Sequence, residues 1–228
     1  MINYKLIINK YIKIFINGII AGVLISIGAM GLLYSLGSDN QILGGFLFGF
    51  GFLLVCLYGY ESYTNKIGYL VENKWIFVLE CFLVLIGNYL GTWLLPLVLK
   101  MTSFSLETNS LMIGLNKVIE YKMQDGLVFD YFGRSLIAGI IIYLAYNTYK
   151  KAEQPIARFS SIFLGAIFIS TLGLNELVSD LFIINLAALS NYDYGHLFVG
   201  VIYVLVGNTL GSFIIPLFRK MKGYLKSI

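Results

Sequence analysis

Charge is what this sequence most lacks. Only 12% of its 228 residues are Asp, Glu, Lys or Arg, while 58% are hydrophobic; a soluble domain carries about 25% charge. That scarcity excludes an ordinary water-soluble globule. Histidine is almost missing too. His196 is the only one, so no histidine cluster exists to hold a metal. The two cysteines, Cys56 and Cys81, both lie inside apolar segments. They read as small buried hydrophobes rather than as a disulfide or a metal pair. A phosphate loop, a dinucleotide fingerprint and a serine-elbow motif are all missing. With no nucleophile–base pair and no metal cluster either, the sequence gives no support to an enzyme and implies no cofactor.

What is present is a series of long uncharged runs, at 14–38, 40–60, 81–99, 135–149, 159–175 and 194–218. A helix crossing the hydrocarbon needs about 20 mainly apolar residues. The period-two alternation of membrane barrel strands does not occur. The reading is an all-α polytopic membrane protein with six crossings, at about 14–36, 42–71, 76–100, 128–150, 158–190 and 195–218. The first apolar run is too long, and lacks the small-residue site, for a cleaved signal. Twelve Lys and Arg residues then fall on one side: Lys5, Lys10, Lys13, Lys66, Lys74, Lys150, Lys151, Arg158, Arg219, Lys220, Lys222 and Lys226. Only Lys100, Lys117, Lys122 and Arg134 fall on the other. Positive residues stay cytoplasmic, so both termini are expected inside, in a bacterial plasma membrane. The lipid bilayer thus accounts for the net charge of +4, and no nucleic-acid partner is implied.

One stretch occurs twice. Residues 85–101 read LIGNYLGTWLLPLVLKM and residues 205–221 read LVGNTLGSFIIPLFRKM, with 9 of 17 positions identical and a spacing of 120. Crossings 3 and 6 carry the repeat and, being three spans apart, run in opposite directions. The chain therefore reads as a single transmembrane domain over 1–228, made of two inverted three-helix repeats at about 14–101 and 128–221. In the repeated Gly-Asn-x-x-Gly, small residues four apart suit close helix packing, with Asn88 and Asn208 bonding across a helix contact; direct contact with a solute is the alternative.

Crossings 2 and 5 hold equivalent places, and both are interrupted. Crossing 2 is apolar to Tyr58, then reads Gly59-Tyr60-Glu61-Ser62-Tyr63-Thr64-Asn65-Lys66. Crossing 5 is apolar to Leu172, then reads Gly173-Leu174-Asn175-Glu176-Leu177-Val178-Ser179-Asp180. Polar clusters after a glycine suit unwound backbone, which survives at membrane depth only inside protein or beside a water-filled cavity. Paired interruptions point to a transport site. Were they ordinary interfacial loops, 67–71 and 181–189 would be left too short to span.

These residues together resemble the formate/nitrite transporter family, over about residues 18–222. The family's first break reads roughly GAELFTGN, and its second roughly GFEHSVANMF; residues 59–65 and 173–182 fill the same places. Gly87-Asn88 and Gly207-Asn208 fit its third and sixth helices, Phe48 to Phe52 the start of its second, and Gly133 to Ala145 the fourth, which reads GILCNxxVCLAVW. The resemblance implies an aquaporin-like fold with helices 2 and 5 broken, a homopentamer with one pore per protomer, and small monovalent anions or their acids as solutes. It implies two hydrophobic constrictions, Phe48 and Phe52 for the first and Phe168 or Ile169 for the second. Between them it places Thr64 facing a central group, with Gly59, Glu61, Asn65 and Gly173 supporting the breaks and Lys122 as an approximate vestibule lysine.

The departures fall at the centre. The family's histidine position is Glu176 here, or Asn175 if the register shifts by one, and its helix-4 asparagine falls on Gly139. A protonated Glu176 would donate a hydrogen bond or a proton to a weak-acid anion. An ionised one would favour a small cation or a polar neutral solute. Its structural alternative is a bond to a basic residue or to the free amides of the break. Asp180 and Lys66 are expected to snorkel or pair near the helix ends. Three functions follow: an anion and weak-acid channel, with or without proton coupling; the same fold passing a small cation or neutral solute; and a non-conducting membrane scaffold.

Overall fold

The computed structural model of the chain describes residues 4–124, 128–190 and 192–225. Lys226, counted above with the basic residues, lies outside them. The described residues are all-helical, with nine α-helices and no strand. These are α1 (Tyr4–Gly37), α2 (Gln41–Leu57), α3 (Tyr63–Ile67), α4 (Phe77–Leu99), α5 (Ser110–Lys122), α6 (Val128–Lys151), α7 (Pro155–Thr171), α8 (Leu177–Ala188) and α9 (Tyr194–Leu225). A 3-10 turn, Gly68–Glu72, continues α3.

Six uninterrupted rods would have been the simplest outcome, and the chain does not form them. Stretches 7–37, 77–99 and 194–224, in α1, α4 and α9, are long and apolar enough to cross a membrane. Expected crossing 2 is α2, a break, α3 and the 3-10 turn; expected crossing 5 is α7, a break and α8. α5 lies in the connection between crossings 3 and 4, where the hydropathy pattern announces no helix. Asn109 starts it by accepting from the Leu111 amide at 3.0 Å. One face then buries Leu111, Leu115 and Ile119, and α5 packs along α1.

Both breaks are built by the same cap. α2 ends with Gly59 in the left-handed region at φ +69°, and α7 ends with Gly173 at φ +60°. The Gly59 amide donates to the Cys56 carbonyl, and the Tyr60 amide to Val55, at 3.3 and 3.0 Å. The Gly173 amide donates to Ser170, and the Leu174 amide to Ile169, at 3.2 and 2.9 Å. This pair of bonds closes the last carbonyls of a helix, and its left-handed residue is usually glycine because a β-carbon is strained there. The interruption is therefore a helix terminus written into the sequence.

After each cap the backbone runs extended for a few residues, and two asparagines take up its polar groups. Asn88 of α4 accepts from the Tyr63 amide at 2.8 Å and donates to the carbonyls of Gly18 and Glu61 at 2.8 and 3.1 Å. Asn208 of α9 accepts from the Leu177 amide at 2.8 Å and donates to the carbonyls of Ser135 and Asn175 at 2.7 and 3.0 Å. Each asparagine thus ties the first amide of a half-helix, the break before it and a neighbouring long helix (α1 or α6). Glycines beside them allow the approach. A β-carbon on Gly91 would collide with the Ile19 carbonyl, and one on Gly211 with the Leu136 carbonyl. Gly139 sits in the same α6–α9 seam, against the Asn208 backbone.

Both asparagines are fully buried. Asn88→Leu removes three hydrogen bonds and strands the Tyr63 amide. Leaving a buried polar group unpaired costs about 1–3 kcal/mol. A clear fall in the thermal unfolding midpoint of the detergent-purified protein is expected, and an unchanged midpoint would contradict the role given to this side chain.

Candidate functional site

The two breaks meet through their side chains. Thr64, in the first turn of α3, donates to Glu176 Oε1 at 2.9 Å. Glu176 is the N-cap of α8, and its Oε2 accepts from the Ser179 amide at 2.7 Å. Ser62 and Thr64 hydroxyl oxygens lie 2.9 Å apart. Because the single Thr64 proton goes to the carboxyl, Ser62 is the donor in that bond. A polar chain Ser62–Thr64–Glu176–Ser179 therefore joins the halves, with Thr64 and Glu176 exposed by only 1% and 4%. Glu176 thus makes the structural bond that the sequence offered, to a free amide at its break, and its other oxygen faces Thr64. Asn175 contributes its backbone carbonyl to Asn208, and its side-chain nitrogen has no protein partner.

A cavity flanks each end of this chain. The larger, of about 640 Å³, is lined by Asn175, Ser179 and Asp180 from the second break and α8, by Lys117, Lys122 and Arg134, and by Asp39. The smaller, of about 180 Å³, is lined by Glu61, Ser62, Asn65 and Lys66 from the first break and α3, and by Tyr69, Tyr146 and Lys150. Thr64 and Glu176 line neither and lie between them in the hydrogen-bond chain. Cationic residues outnumber acidic ones in both linings.

Apolar side chains surround the same region. Phe48, Phe52, Ile142, Ile162, Ile169 and Val178 form one buried cluster, and Tyr60 and Leu174 pack against it. Of the two candidates for a second constriction, Phe168 is 57% exposed and points away, whereas Ile169 is buried and reaches the larger cavity. Helical periodicity explains why only one of the two faces inward, since neighbours on a helix lie about 100° apart. Tyr60 and Leu174, which the sequence did not single out, each follow the left-handed glycine of a break. That position was the available signal.

Of the two expectations for Lys66 and Asp180, pairing holds and snorkelling does not. Lys66 is buried and pairs with Glu61 at 2.7 Å and Glu80 at 3.0 Å, and Glu80 also pairs with Lys10 at 2.6 Å. Asp180 is buried and pairs with Lys122 at 3.0 Å, which ties α5 to α8. Asn65 does not support the break through its side chain: neither amide atom has a protein partner. Glu61 does support it, through its backbone carbonyl to Asn88 and its carboxylate to Lys66. His196 is exposed near the start of α9, with its backbone amide on Asp193. Cys56 and Cys81 are free and buried.

A family model described as formate/nitrite transporter matches residues 3–219. The chain belongs to that family. None of the curated proteins compared with it is a match. Among solved structures, the fold is similar to a "Pentameric formate channel with formate bound", with TM-score 0.77 and 18% identity over 95% of this chain and 98% of that one. It is also similar to an "FNT family ion channel", with TM-score 0.82 and 19% identity over 98% of this chain and 93% of that one. This family member is an integral membrane transport protein and not an enzyme.

The Lys122–Asp180 pair lies in the wall of the larger cavity. Removing one partner of a buried ion pair costs about 3–5 kcal/mol, whereas replacing both with apolar residues is often neutral. Lys122→Met alone is expected to destabilise the folded protein strongly, and Lys122→Met with Asp180→Leu to recover most of the loss. Unfolding midpoints of the three proteins measure this.

Proposed function

We propose that the chain is a channel for small monovalent anions and their weak acids, formate or nitrite among them, and that proton and anion meet at Thr64 and Glu176. The observation that carries this is the Thr64–Glu176 bond, buried between two cavities with an excess of cationic residues in a member of this family. The larger cavity presents Lys117, Lys122 and Arg134 to anions from water, each shared with an aspartate, Asp39, Asp180 and Asp130 in turn. The apolar cluster around Phe48, Phe52 and Ile169 then favours a neutral species over a free ion. At the meeting point a carboxyl offers what a histidine offers, a group able to hold and release a proton beside a hydroxyl.

The architecture belongs to the same proposal. The residues form one transmembrane domain of six spanning units, with α1, α2–α3 and α4 as one repeat and α6, α7–α8 and α9 as its inverted partner. The matched caps and matched asparagines of the two copies of the repeat support this. The solved pentameric relative supports a homopentamer with one path per protomer. The lysine-rich face, with both termini, is cytoplasmic in a bacterial plasma membrane.

A second reading has its own observation. Glu176 is a buried carboxyl where two half-helices meet, and in its ionised form it would select a small cation or a polar neutral solute over an anion. The two readings separate in one experiment. Protein in liposomes is followed for formate and potassium flux between about pH 5 and 8, a range in which perturbed carboxyl groups titrate. Carboxylic acids have pKa near 4, so the neutral fraction of formate falls about tenfold per pH unit across this range. For the anion channel, formate flux is expected to exceed that of empty vesicles and to rise as pH falls. Glu176→Gln, which keeps an acceptor for Ser179 and a partner for Thr64, is expected to lower that flux and flatten its pH response. Potassium flux that Glu176→His abolishes, with no formate flux at any pH, would instead establish the second reading.

A further inference from the structure

The smaller cavity presents polar atoms that the fold does not use. Asn65 is 1% exposed, and both its amide oxygen and its amide nitrogen lack a protein partner. Glu61 Oε2 and the Tyr69 hydroxyl are buried and unpartnered as well. All three residues line the same cavity, beside Lys66 and Lys150. Buried polar groups in a folded protein are almost always bonded, so several orphans facing one space point to something that binds there.

The charges narrow what that is. Lys66 is already engaged by Glu61 and Glu80, and Glu80 by Lys10. Lys150 is not: among the described residues it forms no ion pair. Its ammonium lies 4.6 Å from the centre of the Tyr69 ring and 4.7 Å from that of Tyr146, which form two walls of the cavity. The lining therefore holds two lysines against one glutamate. A single negative charge balances it. A dianion would leave an excess of negative charge beside Glu61 Oε2, and a cation would meet the two lysines. The volume of about 180 Å³ admits an ion of three or four heavy atoms with water around it, since each water occupies about 30 Å³ of liquid.

We propose that this niche is a holding site for one small monovalent anion, a carboxylate or oxyanion, bound by the Lys150 ammonium, the Asn65 amide N–H and the Tyr69 hydroxyl. It lies at the lysine-rich end of the Ser62–Thr64–Glu176 chain, so an anion held here waits one step from the meeting point of the breaks. The inference rests on the channel reading for its solute class, and on the niche alone for its existence.

Bromide is the probe: a monovalent anion visible by anomalous scattering. Crystals of the detergent-purified wild-type protein in sodium bromide are expected to show a peak between Lys150 and Asn65. Lys150 is exposed and forms no ion pair among the described residues, so Lys150→Gln is the main variant, with its unfolding midpoint checked against the wild type. Losing a hydrogen bond to a charged group is expected to raise the half-saturating bromide concentration about tenfold, while Lys150→Arg retains the peak. Bromide absent from the niche, found only beside Lys117, Lys122 or Arg134, or unaffected by Lys150→Gln, would overturn the inference. Liposome flux separates the two proposals. Formate flux without bromide in the niche sinks the holding site and leaves the channel. Bromide in the niche of a protein that passes no formate does the reverse.

Discussion

An unbonded backbone amide at membrane depth costs several kcal/mol, and this constraint governs the molecule. Two stretches of the chain leave helical geometry in the middle of apolar segments, and each would be untenable alone. Asn88 and Asn208 make them tenable. A primary amide is well suited because it both accepts and donates, so one side chain closes an orphan N–H and an orphan carbonyl of the break while also reaching a carbonyl of a long helix. The glycines around each asparagine let the long helices come close enough for that reach. The duplicated Gly-Asn-x-x-Gly is therefore one device used twice, and the breaks depend on it.

With the breaks held, everything else near the site can be inexpensive. The left-handed glycine caps need no side chain. The first residues after them, Tyr60 and Leu174, are free to pack on the apolar cluster. The N-terminal ends of the half-helices are left to side chains that bond one another, Ser62 to Thr64 and Thr64 to Glu176. The ion pairs stand apart from this centre. Lys66 with Glu61 and Glu80 secures one end, and Lys122 with Asp180 secures the other through α5.

Much of this was readable in the amino-acid order. Hydropathy runs locate helices because burial in lipid demands continuous apolar stretches. The repeat was visible because close packing fixes residue type, not merely polarity. Each break was visible because its left-handed residue calls for glycine and its loosened backbone attracts polar neighbours. Other features left no such mark. α5 is short and mixed in character, so its buried apolar residues are interspersed with Lys117, Glu120 and Lys122. Phe168 and Ile169 are both apolar, and only the helix's rotation about its axis separates them. That Lys66 also reaches Glu80 and that Asp180 reaches Lys122 left no mark, because those partners lie 14 and 58 residues away in the chain. Asn65, beside matched break residues, looked like a support, and its side-chain amide has no partner in the protein.

The two half-helices that meet are unequal. α8 has 12 residues, whereas α3 has 5 before it tightens into a 3-10 turn. Aligned peptide dipoles sum to a partial positive charge of roughly half an electron at the start of a well-formed helix, and a single turn supplies much less. The stitching is thus matched on both sides while the electric field is not. The potential across the junction therefore slopes, with its steep side at α8, and under the channel reading inward and outward journeys of an ion are not energetic mirror images.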